Sequence, residues 1–178
     1  MPNIQHAHIP EELFCLEGCR SYAQYYSMRL GFEMGHCAFC PENFDLSKNG
    51  VFWEDARAYA WAVPQNFLRK ELSFHFIIAP KRHVRFLWEL SNSEALAMHD
   101  ALVTIGKRYT LDTGGIIVTR FGDMRFNAGT VPHIHENIMV PNGTGEVRIP
   151  VFKDPHDREK NRTRASAFAM QYEAGEGP

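Results

Sequence analysis

N-A-G-T-V-P-H-I-H-E-N-I-M-V-P, spanning Asn127 to Pro141, is the stretch that decides the fold. Two histidines alternate here with one apolar and one charged residue, inside a run of β-branched and apolar side chains. A period of two sends successive side chains to opposite faces of a β-strand. The stretch therefore predicts a strand that carries four side chains on one face: His133, His135, Asn137 and Met139.

A Gly-Thr pair, Gly129-Thr130, lies just before the histidines. Such a pair brings a tight turn and a hydroxyl group to the start of the strand. Two imidazoles beside this turn are suited to phosphate chemistry, because one can act on the substrate while its neighbour holds it in place. The stretch therefore indicates a site for a phosphorylated substrate.

The pattern from His133 to Asn137 resembles the histidine triad (HIT) motif, in which three histidines alternate with apolar residues. Asn137 stands in the place of the third histidine, and Glu136 stands where the family has an apolar residue. The related nucleotidyltransferase branch, for example galactose-1-phosphate uridylyltransferase, carries a glutamine at the third position. The second histidine is the nucleophile in the family, and the resemblance therefore implies that role for His135.

The chain from Cys37 to Pro141 fits the α+β fold that the resemblance implies, a HIT-like antiparallel sheet with one long helix. Runs of β-branched and aromatic residues bounded by turn residues predict the other strands. A serine cap followed by apolar residues at a spacing near 3.6 predicts the helix, from Ser91 or Ser93 to Tyr109. The further predicted strands are residues 51–53, 58–63, 72–79, 115–120 and 146–152.

Helical segments are predicted on both sides of this region. Apolar spacing indicates an N-terminal helix from Glu11 to Leu30, and a charged helical tail runs from Asp154 to Met170. On this predicted helix Cys15 and Cys19 lie one turn apart, where packed thiols are favoured over a metal site. The predicted parts of the chain are an N-terminal extension at 1–35, a HIT-like domain at 36–152 and a C-terminal tail at 153–178.

A C-x-x-C motif occupies residues 37–40, and in a cytosolic chain it indicates metal binding or thiol redox chemistry. Redox pairs of the thioredoxin kind open a helix, whereas this pair precedes a loop, and metal binding is therefore favoured. Zinc-containing HIT proteins take two further ligands from histidines in corresponding places. The resemblance thus implies a closed structural zinc site formed by Cys37, Cys40, His83 and His133. The alternative is that the cysteines are packed thiols and His133 is only the first triad histidine.

The mechanism that the resemblance implies is nucleotidyl transfer through a covalent phosphoramidate on His135. A backbone carbonyl near His133 is expected to bind the other ring nitrogen and so fix the tautomer. The residues expected at the phosphate oxygens are Gly129 and Thr130, with Asn127 and Arg125 as candidates to assist.

Asn137 can hydrogen-bond a phosphate or bridging oxygen, but it cannot give up a proton to a leaving group. Substrates with good leaving groups, such as dinucleoside polyphosphates, or transfer to a second phosphate are therefore favoured over plain hydrolysis. The alternative function is a zinc-stabilised nucleotide-binding module whose catalysis is lost or weak. Trp61 and Phe52 are candidates to stack on a base, with core packing as the favoured role of each.

Composition sets the remaining bounds. Hydrophobic residues make up 44% and charged residues 22% of the sequence, which is typical of a globular protein. A formal net charge of −2 argues against an extended nucleic-acid groove, although not against a single nucleotide. No apolar run of membrane-spanning length and no signal segment is found, and we expect a cytoplasmic protein. A homodimer is compatible with the family resemblance.

Overall fold

The computed structural model of the 178-residue chain describes residues 15–35, 37–44, 50–65, 67–149 and 155–178, without the side chains of 125 and 155–158. Contacts between residues divide the chain into two compact units. The sheet unit comprises residues 39–121 and 133–149, and the helical unit comprises residues 1–38, 122–132 and 150–178. Each unit is discontinuous along the chain, whereas the domains predicted from the sequence are continuous segments.

A five-stranded antiparallel sheet with the strand order β1-β2-β3-β5-β4 forms the sheet unit. The strands are β1 (Val51–Glu54), β2 (Ala58–Ala62), β3 (Leu72–Pro80), β4 (Ile116–Thr119) and β5 (Glu136–Pro141). This confirms the α+β fold class, and the first four predicted strands are each correct to within one residue at either end. The strand that continues from the histidine motif, β5, lies between β3 and β4.

The long helix α2 (Asn92–Tyr109) packs on one face of this sheet. Ser91 caps its N-terminus and exchanges hydrogen bonds with Glu94, as the serine cap predicts. Small side chains of β2 let the helix approach, and larger apolar side chains of β3, β5 and α2 fill the space between the two layers. The buried members of this core are Ala58, Ala60, Phe76, Ile78, Ala97, Met98, Ala101, Ile105 and Ile138.

Two aromatic residues that the sequence offered as base-stacking candidates lie in the protein core. Trp61 is 5% exposed and packs in an aromatic cluster. This cluster lies on the other face of the sheet from Ile78. Phe52 packs on the α2 side, against the rings of Phe76 and Tyr109. Both therefore have the packing role that the sequence favours.

The β5 strand begins later than the predicted motif strand. His133 and His135 precede it, and its ladder with β3 begins at Glu136. The backbone N–H of Ile134 donates instead to the Val84 carbonyl oxygen at 2.7 Å, beyond the end of β3. That hydrogen bond holds the histidine segment against the loop after β3, and the prediction of a strand through both histidines is wrong. Residues 146–149 also form no strand, and the rest of the strand predicted at 146–152 lies outside the described residues.

The helical unit contains α1 (Tyr22–Glu33), α3 (Met124–Asn127) and α4 (Pro155–Glu173). Helix α1 begins at Tyr22 because the Ser21 hydroxyl caps it by accepting from the backbone N–H of Gln24 at 3.2 Å. Leu16–Gly18 upstream is a 3₁₀ turn, and the prediction of one continuous helix from Glu11 is therefore wrong. Residues 11–14 of that predicted helix lie outside the described residues.

Aromatic rings join α1 to α4 within the helical unit. The participating side chains are Tyr22, Tyr25, Tyr26, Phe168 and Tyr172, with neighbouring ring centroids 5.2–6.4 Å apart. The helical C-terminal tail predicted from the sequence is thus confirmed, and it packs against α1. Among the described residues, no helix combines the length and the apolar character needed to cross a membrane.

Candidate metal centre and active site

Four side chains with metal-ligating atoms form one group in the structure. They are the four ligands that the sequence predicts, Cys37, Cys40, His83 and His133, and their ligand atoms all lie within 4.8 Å of one another. Both cysteines and His133 are buried, and His83 is half-buried. Two cysteine sulfurs and two imidazole nitrogens at this spacing are a candidate site for a metal ion.

The separations within the group fit four-coordinate geometry. Cys40 Sγ lies 3.3 Å from His83 Nδ1 and 3.7 Å from His133 Nδ1. Around a tetrahedral zinc ion, with Zn–S of about 2.3 Å and Zn–N of about 2.0–2.1 Å, sulfur and nitrogen ligands lie about 3.5 Å apart. The two measured separations lie on either side of that value, and these three atoms can therefore bind a common ion.

The second ring nitrogen of His133 determines which nitrogen faces the cysteines. His133 Nε2 lies 2.8 Å from the Pro80 carbonyl oxygen, to which it donates its proton. Nδ1 therefore keeps its lone pair and points it toward Cys40. Metal-binding histidines usually make this kind of hydrogen bond, which holds the ring and its tautomer. With 1% of its surface exposed, His133 is closed to a substrate.

His135 is held through the opposite ring nitrogen. Its Nδ1 lies 2.7 Å from the backbone carbonyl oxygen of His133, which places the proton on Nδ1 and the lone pair on Nε2. This is the tautomer-fixing hydrogen bond expected from the sequence. Nε2 makes no hydrogen bond to any of the described residues, and the side chain is half-buried. The ring can therefore act through Nε2 as a base or a nucleophile.

The surroundings of His135 keep its imidazole neutral. Burial lowers the pKa of His135 to about 4, against an ordinary value of 6.5. The hydrogen bond to the His133 carbonyl acts in the opposite direction, whereas the nearby charge of Arg120 lowers the pKa further. A neutral imidazole at pH 7 has the lone pair that attack on phosphorus requires.

Phe39 connects the C-x-x-C motif to His135. It lies between the two cysteines in the chain and packs edge-on against the His135 ring, with ring centroids 4.9 Å apart and planes at 89°. The Tyr59 hydroxyl donates to the backbone carbonyl of Phe39 at 2.7 Å and so fastens this turn to β2. The turn that supplies Cys40 therefore also orients the His135 ring. Phe39 has no role among the predictions from the sequence, although its place between the two cysteines was a signal.

Asn137, which stands in the place of the third histidine, has both ends of its amide bonded within the sheet. Its Oδ1 accepts from Nε2 of His75 at 3.0 Å, and its Nδ2 donates to the Val118 carbonyl oxygen at 3.3 Å. The residue is 8% exposed. His75 of β3 thus holds the amide, and Asn137 joins β5 to both of its neighbouring strands.

Arg120 is a cationic residue that the sequence analysis missed. The ladder between β4 and β5 ends with the pair Thr119–Glu136, Arg120 directly follows β4, and its charge acts on His135. Burial lowers the pKa of Arg120, but a guanidinium group stays protonated in proteins. A fixed positive charge therefore lies beside the candidate nucleophile. The signal was the register between β4 and β5, which cannot be read from a single sequence.

The predicted phosphate-binding residues run from α3, which contains Arg125 and ends at Asn127, into the loop that follows it, in the helical unit. Asn127 Oδ1 accepts from the backbone N–H of Gly129 at 2.8 Å, and Ala128 between them has a left-handed backbone with a φ of 56°. Thr130 follows directly and is half-buried. The structure thus brings Asn127, Gly129 and Thr130 together, whereas the side chain of Arg125 lies outside the described part.

Comparisons with known proteins find likeness among solved structures. No family model and no curated protein matches the chain. A histidine triad protein from Clostridium difficile is 20% identical, over 63% of this chain and 93% of its own, with a TM-score of 0.46. A histidine triad nucleotide-binding protein from Candida albicans is 17% identical, over 76% and 98% of the two chains, with a TM-score of 0.49. Plasmodium falciparum diadenosine triphosphate hydrolase is 18% identical, over 73% and 80%, with a TM-score of 0.42. The chain is similar to histidine triad proteins, the family that its motif resembles.

Proposed function

We propose that the protein is a nucleotidyl hydrolase or transferase that acts on a nucleoside phosphate through a covalent intermediate on His135. The observation that carries this proposal is the 2.7 Å hydrogen bond between His135 Nδ1 and the His133 carbonyl oxygen. It leaves Nε2 with a lone pair and, among the described residues, without a hydrogen-bond partner. A histidine nucleophile requires that state. His133 is not an alternative, because Cys40 and Pro80 occupy its two ring nitrogens.

The reaction proceeds in two displacements at the α-phosphorus. First, the Nε2 lone pair of His135 forms a P–N bond while the P–O bond to the leaving group breaks and its electrons depart with that oxygen. The proton stays on Nδ1, hydrogen-bonded to the His133 carbonyl oxygen, as positive charge develops on the ring. Then an incoming oxygen attacks phosphorus, the P–N electrons return to Nε2, and the neutral ring is restored. A water that loses its proton to solvent gives hydrolysis, and a second phosphate gives transfer.

Negative charge on the substrate is matched by groups near the motif. Arg120 directly follows β4, its charge acts on His135, and a guanidinium group attracts phosphate oxygens. In the loop before the motif, the Gly129 N–H is already donated to Asn127, and we assign phosphate binding there to the Thr130 hydroxyl and backbone amide. Asn127 and Gly129 shape that loop, and Arg125 is a candidate to assist.

The leaving group follows from Asn137. Both ends of its amide are bonded within the sheet, to His75 and to Val118, and an amide delivers no proton. The departing oxygen must therefore be stable as an anion. A phosphate leaving group meets that condition, and the charge of Arg120 favours it further. This supports dinucleoside polyphosphates as the substrate class.

The group of two cysteines and two histidines is proposed to bind structural zinc. Two thiolates and two neutral imidazoles make a closed tetrahedral set, which leaves no position for a substrate. Its function is to fasten the C-x-x-C turn to the histidine segment. Because Phe39 on that turn contacts the His135 ring, the same set helps to orient the nucleophile.

Turnover of a substrate panel in ¹⁸O-labelled water tests this function. We expect dinucleoside polyphosphates to be split to a nucleoside monophosphate, with ¹⁸O in the monophosphate if water is the acceptor and unlabelled transfer products if added phosphate is. Nucleotide sugars in the same panel test the transferase alternative. Wild-type protein that binds nucleotides and turns over none of them would establish the binding module instead.

A further inference from the structure

The first described segment of the helical unit lies directly on the loop at Asn127–Thr130. A Cβ atom added to the buried Gly18 would meet the Gly129 carbonyl oxygen at 2.5 Å and Thr130 Cγ2 at 2.9 Å. Real Cβ atoms essentially never approach other atoms this closely. Only glycine therefore lets the 3₁₀ turn reach the loop, and Gly18 sets the distance between them.

A second contact supports the unusual backbone of the same loop. Cys15 packs with Met124 and Ala128 in a small buried cluster. Ala128 has a φ of 56°, a conformation that residues other than glycine adopt rarely and hold only when their surroundings enforce it. The contact with Cys15 helps to hold Ala128 in this conformation. The buried thiol thus has a packing role in support of the loop.

A third contact orients the hydroxyl group of Thr130. The backbone N–H of Arg20 donates to Oε1 of Gln24 at 2.9 Å, which turns the amide so that Nε2 faces Thr130 Oγ1, 3.5 Å away. Thr130 Oγ1 is the acceptor in that contact. Its own hydrogen is then directed elsewhere and can be donated to an anion.

The C-terminal helix fastens the turn that bears Gly18. Arg162 Nε lies 3.0 Å from Glu17 Oε1, and Arg164 Nη2 lies 3.4 Å from the Glu17 carbonyl oxygen. The C-terminal helix thus contacts the turn that itself lies on the loop before the histidine motif.

We propose that the segment from Cys15 to Gln24, held by α4, positions the anion-binding loop at Asn127–Thr130, with Gly18 as the positioning residue. The inference rests on the proposed function, since that function makes the loop a phosphate site. The terminal segments then determine how well the loop binds the phosphate of a nucleotide.

Gly18→Ala tests the proposal, with adenosine monophosphate as the probe and calorimetry as the measurement. We expect its affinity to fall about tenfold or more, as for the loss of one hydrogen bond to a charged group, with the metal content unchanged. Gly106→Ala is the matched control, because nothing lies within 4 Å of a Cβ there. Gly115→Ala controls for steric damage elsewhere, since its Cβ would meet the Met139 carbonyl oxygen at 2.8 Å in the sheet. Both controls should bind like wild type.

Hydrogen–deuterium exchange at residues 127–130, recorded without ligand, separates this inference from the proposed function. Faster exchange in Gly18→Ala together with no nucleotide binding by wild type would sink the function and keep the positioning role. Unchanged exchange and unchanged affinity would overturn the positioning role. If Gly18→Ala does not fold, Gln24→Ala decides, because it removes the amide that faces the Thr130 hydroxyl, together with that amide's hydrogen bond from the Arg20 N–H. It should weaken binding about two- to fivefold, and wild-type affinity would overturn the proposal.

Discussion

His133 and His135 are two residues apart and yet have opposite surroundings. His133 is 1% exposed, its Nε2 is bonded to the Pro80 carbonyl, and its Nδ1 faces Cys40. His135 is half-buried, its Nδ1 is bonded to a carbonyl, and its Nε2 has no partner among the described residues. The same side chain therefore has the proton on opposite nitrogens at the two positions.

The difference shows how a backbone carbonyl assigns a role to an imidazole. A hydrogen bond at Nε2 leaves Nδ1, the nitrogen nearer the backbone, to bind a buried ion. A hydrogen bond at Nδ1 leaves Nε2, the nitrogen at the tip of the ring, to reach a substrate. We propose on this basis that one histidine is structural and its neighbour reactive, and this contrast makes separate predictions for the two.

The largest expected effect comes from His135→Ala. Since we propose that the imidazole carries the nucleotidyl group, we expect turnover to fall by at least about 10³-fold, with the melting temperature and metal content close to wild type. Steady-state kinetics and metal analysis of the same preparation check this. His99→Ala, on the exposed side of α2, is the matched control and should keep full activity. Activity in His135→Ala near that of His99→Ala would contradict the reactive role of His135.

The next effect concerns the closed side of the comparison. Replacing a residue that supports a metal ligand typically lowers metal affinity by about 10–100-fold. Cys40→Ser replaces a predicted ligand itself and should lower zinc affinity by more than that. It should also lower the melting temperature, because structural zinc contributes directly to folding. Turnover should fall as well, since Phe39 on the same turn contacts His135.

Cys15→Ser is the control for Cys40→Ser, because Cys15 is also a buried thiol but packs in the helical unit. It should lose stability and keep about one zinc per chain. A well-folded wild-type protein without zinc would contradict the metal assignment and leave His133 for a role at the substrate.

The smallest effect is expected at Asn137, which follows both histidines on the same segment and is bonded within the sheet. Asn137→Ala removes the partner of His75 and of the Val118 carbonyl, and should lower the free energy of unfolding by about 1–3 kcal/mol. Chemical denaturation should show this loss of stability. Kinetics on the same samples should show a loss of turnover that corresponds to a comparable free energy. Loss of turnover as large as in His135→Ala, at unchanged stability, would show that the amide contacts the reacting atoms.

The sheet and the metal-ligand group could be predicted from the sequence because their signals are local or strongly constrained. Strands β1 to β4 are runs of β-branched and aromatic residues that end at turn residues, and Ser91 marks the start of α2. The four metal ligands follow from the few side chains that bind zinc and from the resemblance of the motif.

The remaining features depend on contacts between distant parts of the chain. The motif strand starts at Glu136 because the N–H of Ile134 donates to the Val84 carbonyl oxygen. No residue in the motif indicates that hydrogen bond. Arg120 reaches His135 because it follows β4 where the ladder with β5 ends, and Gly18 lies against the backbone of Gly129. The start of α1 was mispredicted because apolar spacing continues upstream of Ser21, whereas the cap at Ser21 decides where the helix begins.

The measurement that tests the central claim most directly is the mass of the protein quenched during turnover of a dinucleoside polyphosphate. The account predicts an increase equal to one nucleotidyl group, on the peptide that contains His135, with the lability to acid and stability to base of a P–N bond. His135→Ala should show no such increase. Turnover by wild-type protein without any adduct, or an adduct that persists in His135→Ala, would contradict covalent catalysis by His135.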